Sequence, residues 1–557
     1  MKYFFKSKLL HLWLFLFALS MVVSLAVTGI HAQATHAAVP SNLSRVYRSA
    51  QTTNHSSAKF DSSTPDWPEF HGDAARDGSQ PSNTFFSKAN ASSLTPVSGF
   101  APTSTAMSSP AIYQGIAYYT SNMPVTNGAT QKLDVSTIYG VDALTGQVLW
   151  SEQTPACGTG VYAKPEYIVS SPAVTTGLVN GVATTEVFIG RGANKEARGC
   201  IYDFNGLDGT LIWKYTTANQ VNSSPAIMAT NNGTLVVVGD NNVYVHAFSV
   251  NYNGSLGGNG IQVWSYNNSN DPPPPGYAQY CLPAPTLCGD AVWSSPAEGL
   301  VMVNGTPHHY AYFSVGAEAN TVGRIDAIDM DNLVNNSPTL PWSFWDIHPQ
   351  YDNDFGDIVA LTDANGFAIR VYSGTNNGDM YGVDAITGSL YFDFNIPAYL
   401  GNAKDRIHST GALLTIGGTT ELIFGSGGSK EKLGPNNGHI WALDALSTNP
   451  VGTVLWKSQD FGSDIESSPV ILNQDANAVG FIAGPWTKKT AARGDLLAFD
   501  PATGAILADY QVFNHLYGTV SSVAVYGGRV YVTEGYLLYG NTIAGGGLAS
   551  FQCAGCL

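Results

Sequence analysis

Short stretches of alternating apolar and polar residues recur from end to end of the chain, among them "GIAYYTS", "EVFIGR", "LVVVGD" and "RVYVTE". Alternation with a period of two puts one face of each stretch inward, the mark of half-buried β-strands. Two further signals punctuate them. The first is a Ser-Ser-Pro triplet leading into apolar residues, at Ser108, Ser170, Ser223, Ser294 and Ser467. Degenerate forms stand at Gly356-Asp357-Ile358, Ser409-Thr410-Gly411 and Ser521-Ser522-Val523. Successive triplets lie from 53 residues apart (Ser170 to Ser223) to 71 (Ser223 to Ser294). The second signal is a strand, a D-x-x-T-G turn and a further strand ending in an aromatic, as in "YGVDALTGQVLW" from Tyr139 and "YGVDAITGSLYF" from Tyr381. Gly supplies the positive φ that such a turn requires, and Asp bonds the turn's own amides.

Each repeat therefore predicts four antiparallel strands, and eight repeats without helical periodicity between them predict an all-β, eight-bladed β-propeller. The closing aromatics are expected at Trp150, Trp213, Trp264, Trp342 or Trp345, Tyr391 and Trp456, docked between blades. The eighth repeat runs out after its third strand, "GLASFQC". Its fourth is expected from residues 91–100, ahead of the first triplet.

Composition agrees with strands and turns. Of 557 residues, 44% are hydrophobic and only 12% charged, about half the usual charged fraction. The formal charge of −16 repels phosphate backbones and anionic lipid surfaces, which argues against nucleic acid as a partner. Residues 1–38 read as an export signal, with Lys2, Lys6 and Lys8 before an apolar run and small residues suited to cleavage after Ala34 or Ala38. An uncleaved membrane anchor is the alternative, and either reading places the body outside the cytoplasm. Residues 39–65, rich in Ser, Thr, Asn and Ala, read as a disordered linker before a propeller over 66–557. Six cysteines in an exported chain suggest disulfides, with Cys281–Cys288 and Cys157–Cys200 as expected pairs.

Residues just before each triplet should ring one mouth of the propeller axis: Met107, Val169, Asn222, Trp293, Phe355, His408, Glu466 and Val520. Two aromatics, a His, a Glu and an Asn make a plausible ligand floor.

The A-x-D-x-x-T-G-x-x-x-W repeat and the opening "WPEFHGDAARDG" resemble the eight-bladed quinoprotein alcohol dehydrogenases and their non-enzymatic relatives, over roughly residues 66–552. "GDAVWSSPAEG" and "WSFWDIHPQYDNDFGD" resemble the polyvinyl-alcohol dehydrogenases in particular. The resemblance implies that Trp293 stacks on pyrroloquinoline quinone (PQQ). It also implies that Asp354 is the catalytic carboxylate, taking the alcohol proton and ligating Ca²⁺. Asp352 and Asp357 compete with Asp354 in sequence. The pattern departs at Asn376, where the family carries Arg or Lys to polarise the quinone. It departs again in "SVGAEAN", where Glu318 or Asn320 would replace an Asn ligand of Ca²⁺. Asn194 or Glu196 could add oxygen ligands, and Arg191 or Arg198 could meet a cofactor carboxylate; the adjacent-cysteine disulfide of many members is missing. Two functions stay open: a secreted PQQ-dependent dehydrogenase of a small or polymeric alcohol, and a non-catalytic scaffold binding a protein or polymer.

Overall fold

The computed structural model describes residues 65–553, apart from 99, 101–105, 107, 128–130, 158–167, 193–197, 252–258, 271–273, 276, 278–290, 317–321, 349–354, 402–404, 429–437, 462–463, 485–493, 513–520, 535–536, 539–540 and 543–546. The expected signal, most of the linker, Cys281 and Cys288 lie outside the described residues. Eight four-stranded antiparallel blades make up the body. Blade 1 runs outward from the axis as Ala111–Tyr113, Ile116–Asn127, Gln131–Asp142 and Val148–Gln153. Blades 2 to 7 occupy residues 173–216, 226–267, 297–345, 359–395, 412–457 and 470–512. Blade 8 combines Ala524–Tyr526, Arg529–Glu534 and Gly547–Cys553 with an outermost strand, Leu94–Pro96, from the other end of the chain. Leu94 pairs with Cys553 and Pro96 with Phe551, so the expected closure holds. Among the described residues the one α-helix is the five-residue Ile396–Leu400, and no helix is long and apolar enough to cross a membrane.

The turns behave as their chemistry requires. Asp142 Oδ1 accepts from the amides of Leu144 and Thr145 at 2.9 and 2.8 Å, and Gly146 closes the turn at φ 75°. The closing aromatic of one blade then packs on the turn glycine of the next. A Cβ on Gly209 would meet Trp150 at 2.5 Å, and one on Gly388 would meet Trp342 at 2.6 Å. Trp150 also donates from Nε1 to Gly206 O at 2.7 Å, tying blade 1 to blade 2. Trp342 is thereby the docking residue of blade 4, whereas Trp345 lies under the Arg324 guanidinium. In blade 5 the docking residue is Phe392, fully buried ten positions after Gly382 as Trp150 is after Gly140. Tyr391 points the other way, under Arg370 at 3.8 Å, because one residue along a strand reverses the face.

The Ser-Ser-Pro triplets have separate duties. The first hydroxyl accepts from an amide of the blade's own second strand, as Ser170 does from Gly190 at 3.0 Å and Ser294 from Ser314 at 2.8 Å. The second reaches sideways to the neighbouring blade. Ser109 N donates to Ser171 Oγ, Ser171 N to Ser224 Oγ, Ser224 N to Ser295 Oγ and Ser295 N to Asp357 Oδ1. Thr410 Oγ1 donates to Asp357 Oδ2, Thr410 N to Ser468 Oγ, Ser468 N to Ser522 Oγ, and Ser522 N back to Ser109 Oγ. These bonds close an eight-membered belt around the axis. Asp357 and Thr410 are thus belt members standing where other blades carry Ser. The proline, lacking an N–H, presents only its carbonyl to the axis.

The opening segment "WPEFHGDAARDG" occupies that axis. Innermost strands carry an unpaired inner edge, whose buried amides need acceptors. Trp67 pairs with Ile112 of blade 1, and Pro68 O accepts from Val174 of blade 2. Glu69 Oε2 accepts from Ile227 of blade 3 at 3.2 Å. The carbonyls of Ala74, Ala75, Asp77 and Gly78 then serve Glu298, Ala360, Leu413 and Ile471 of blades 4 to 7. Ser79–Gln80 finally adds a parallel strand inside blade 7. At the centre Arg76, fully buried, donates to the carbonyls of Pro296 (3.1 Å), Pro225 (2.9 Å), Ser224 (3.4 Å) and Phe70, with Glu69 Oε2 at 3.6 Å.

The Cys157–Cys200 disulfide, Cα atoms 5.5 Å apart, joins the end of blade 1 to blade 2 as expected.

Candidate functional site

Because the opening segment closes the axis, five of the residues before the triplets encircle a cup with a floor, whereas Phe355, expected in the same ring, is buried and stacked on Tyr381. Phe70 and the belt side chains of Ser171, Ser224, Ser295 and Asp357 make the base. Val169, Asn222, Trp293, His408 and Glu466 stand around the wall of a cavity of about 170 Å³ that opens to solvent. Each wall residue sits where an innermost strand begins, and radial repetition brings those starts to one end of the axis.

Two features dominate the wall. Trp293 is a large apolar side chain left 40% exposed in a cup lined mainly by polar side chains. Opposite in chemistry is a linked polar group: His408 Nε2 and Asn376 Oδ1 are hydrogen-bonded, and His408 Nδ1 lies 3.7 Å from Glu466 Oε1. Arg406 Nη2 reaches the same Glu466 oxygen at 3.2 Å and Asp464 Oδ2 at 3.5 Å. Asn222 Oδ1 is buried without a hydrogen-bond partner. Beside Arg406, burial and the Asp464 charge push the Asp405 carboxyl up to about 6. Burial also raises Asp357, against the Ser295 amide and the Arg76 charge that favour its ionised form. On the floor, burial pushes Glu69 up to about 8 although Arg76 opposes it, and burial lowers His71 to about 4. Its Nδ1 lies 2.7 Å from Arg76 O and its Nε2 2.8 Å from Pro469 O, two acceptors that favour the protonated ring and oppose the effect of burial.

A family model described as outer membrane protein assembly factor BamB matches residues 101–304. No curated protein matches the chain. A europium-containing methanol dehydrogenase superposes with a TM-score of 0.57 at 15% identity, covering 88% of this chain and 98% of its own. A quinohemoprotein alcohol dehydrogenase from Pseudomonas putida gives 0.56 at 14% identity, covering 88% of this chain and 80% of that one. The chain has the eight-bladed propeller fold of the quinoprotein alcohol dehydrogenases.

Within this quinoprotein-type propeller, the residues expected from sequence divide into three groups. Asn222, Trp293, His408 and Glu466 share the cup, and Asn376 joins them through His408. Arg191 is not among the cup's lining residues: it is buried, and its Nη1 donates to Thr154 O, Thr154 Oγ1 and Pro155 O within 3.0 Å, at the end of blade 1. Asp354, Glu318, Asn320, Asp352, Asn194, Glu196, Met107 and Val520 lie outside the described residues. Of the carboxylates competing with Asp354, Asp357 is held in the belt by Ser295 and Thr410.

Three residues of the site escaped the sequence reading. Phe70 and Arg76 belong to a stretch read only as the start of the domain, and Arg406 stands two positions before His408. Extending the aligned ring by one strand turn would have found Arg406, since residues two apart share a face.

Proposed function

We propose that this protein is an extracytoplasmic PQQ-dependent oxidoreductase of a small or polymeric alcohol, with the quinone held in the axial cup against Trp293. The exposed indole at the mouth of a closed, polar cup carries this reading: a flat apolar surface wetted in the free protein is covered when a planar ring system stacks on it. The cup's remaining chemistry fits that group. Serine hydroxyls of the lining offer hydrogen bonds to carbonyl and ring N–H groups. Glu466 and Asp357 would repel a tricarboxylate, so a Ca²⁺ ion is part of the proposal, which Asp354, Glu318 and Asn320 would hold. When bound, the quinone supplies the two-electron, hydride-accepting chemistry. Asp354 takes the alcohol proton in this reading. Arg406, positioned by Glu466 and Asp464, brings positive charge to the wall that Asn376 leaves neutral. His408 orients the Asn376 amide.

The test titrates the purified full chain with PQQ and CaCl₂, by absorbance and calorimetry, followed by dye-linked alcohol oxidation. Trp293→Ala should weaken quinone binding by about 1–3 kcal/mol of stacking and burial. Asp354→Asn should abolish turnover while leaving folding intact, because the carboxylate's role is proton transfer rather than packing. If neither wild type nor Asn376→Lys binds the quinone, the enzyme reading fails.

The match of residues 101–304 to the assembly-factor family favours the second reading, a non-catalytic scaffold binding a protein or polymer at the mouth or rim loops. Absence of quinone binding together with capture of a defined partner at the mouth, lost on changing Trp293, supports it.

A further inference from the structure

Outward from the cup, on the same face, the last strand of blade 4 (Ser337–Trp345) hands over to Asp346 and His348. Facing them are Asp379, first residue of blade 5's third strand, and Asp393 near the end of its fourth. Ligand atoms of Asp346, His348 and Asp379 all lie within 4.8 Å of one another. His348 Nδ1 stands 3.6 Å from Asp379 Oδ1 and 3.4 Å from Asp393 Oδ2.

We propose that Asp346, His348, Asp379 and Asp393 form a zinc site that clamps the end of blade 4 to blade 5. Three observations carry it. The separations of 3.4 and 3.6 Å are long for hydrogen bonds. They match the edge of a tetrahedron with metal–ligand bonds of about 2.0–2.1 Å, which is roughly 3.4 Å. The donor set is mixed: one imidazole with carboxylates suits Zn²⁺, whereas Ca²⁺ and Mg²⁺ take oxygen alone.

Neighbouring donors fix the carboxylates, as partners of metal ligands do, and Tyr381 Oη also lies 3.4 Å from His348 Nδ1. Tyr381 Oη donates to Asp346 Oδ1 at 2.7 Å, the His348 amide donates to the same oxygen at 2.9 Å, and Asn395 Nδ2 donates to Asp379 Oδ1. Asp346 and Asp379 are fully buried, yet Asp393 Oδ1 is sealed from solvent with no hydrogen-bond partner. His348, 48% exposed, leaves the ion a path in.

The experiment strips the full-length protein with chelator, then titrates ZnCl₂ and, separately, CaCl₂ by calorimetry, with metal analysis after dialysis and no quinone present. One zinc per chain is expected, with His348→Ala and Asp393→Asn each weakening it at least tenfold, and zinc raising the melting temperature of wild type but not of the variants. Circular dichroism and melting in chelator should show both variants folded; His348→Gln, at a half-exposed position, serves if His348→Ala does not fold. No zinc uptake overturns the proposal. So does uptake unchanged in His348→Ala and Asp393→Asn, or Ca²⁺ binding as tight as Zn²⁺ and lost in the same variants.

Discussion

Replacing Arg76 by Leu removes the hub of the axial segment and leaves its acceptors in place. Two well-formed, charge-assisted hydrogen bonds disappear, Nε to Pro296 O at 3.1 Å and Nη2 to Pro225 O at 2.9 Å. At about 1.5–3 kcal/mol each they amount to roughly 3–6 kcal/mol. The buried leucine returns a part of this, giving an expected loss of about 4 kcal/mol at pH 7. The loss should depend on pH because of Glu69. Its carboxyl is raised to about 8 by burial, with the Arg76 charge pulling it back down, so without Arg76 it moves higher still. A carboxyl raised on folding holds a proton that the unfolded chain releases from about 4.5 upward, so stability falls as pH rises until the folded group also ionises. In the wild type that decline ends near 8. In Arg76→Leu it continues, widening the difference by up to about 1.4 kcal/mol per pH unit above 8. Urea denaturation of both proteins from pH 6 to 9 measures it, with Arg76→Lys expected between them because Lys keeps the charge but not the fork. A loss under about 1 kcal/mol, or one constant from pH 7 to 9, refutes the reasoning.

The docking contact between blades can be separated from backbone conformation by comparing two glycines. Gly181→Ala, at φ 79° with nothing within 4 Å, should cost about 1–2 kcal/mol of left-handed strain. Gly209→Ala, at φ 73° with Trp150 2.5 Å from the new Cβ, should cost about 2 kcal/mol more in denaturant melts, and equal losses would remove the docking explanation. Cys157→Ser/Cys200→Ser opens a bridge across a sequence separation of 43, which chain entropy values at about 4 kcal/mol. Intact mass under native, non-reducing conditions should show both wild-type thiols blocked to alkylation, and free thiols there would contradict the pairing.

Blade number, strand order and the closure of blade 8 were legible in the chain because each has a local code. Period-two alternation marks strands, D-x-x-T-G fixes a turn whose glycine must take positive φ, and a missing fourth strand demands a partner. Alignment of the triplets likewise placed Asn222, Trp293, His408 and Glu466 together, since a propeller turns equal sequence positions into neighbours around one axis. Where a count slipped by one residue, the strand's alternation reversed the outcome, and Phe392 took the docking place expected of Tyr391.

What only the tertiary structure decided is what has no such code. The segment from Trp67 to Gly78 serves seven blades mainly through backbone carbonyls, which every residue possesses, so no side-chain pattern announces that it fills the axis and gives the cup its floor. The belt was visible as repeated Ser-Ser-Pro, but its bonds run between blades some sixty positions apart, and Asp357 and Thr410 fill its places only in three dimensions. Arg191, a candidate for a cofactor carboxylate by residue type, ties down the end of blade 1 instead, where Thr154 and Pro155 supply its acceptors. Asp346, His348, Asp379 and Asp393 carry no recognisable spacing. Residue type and period follow from the chain alone; which distant groups share a buried volume follows from how the blades pack around the axis.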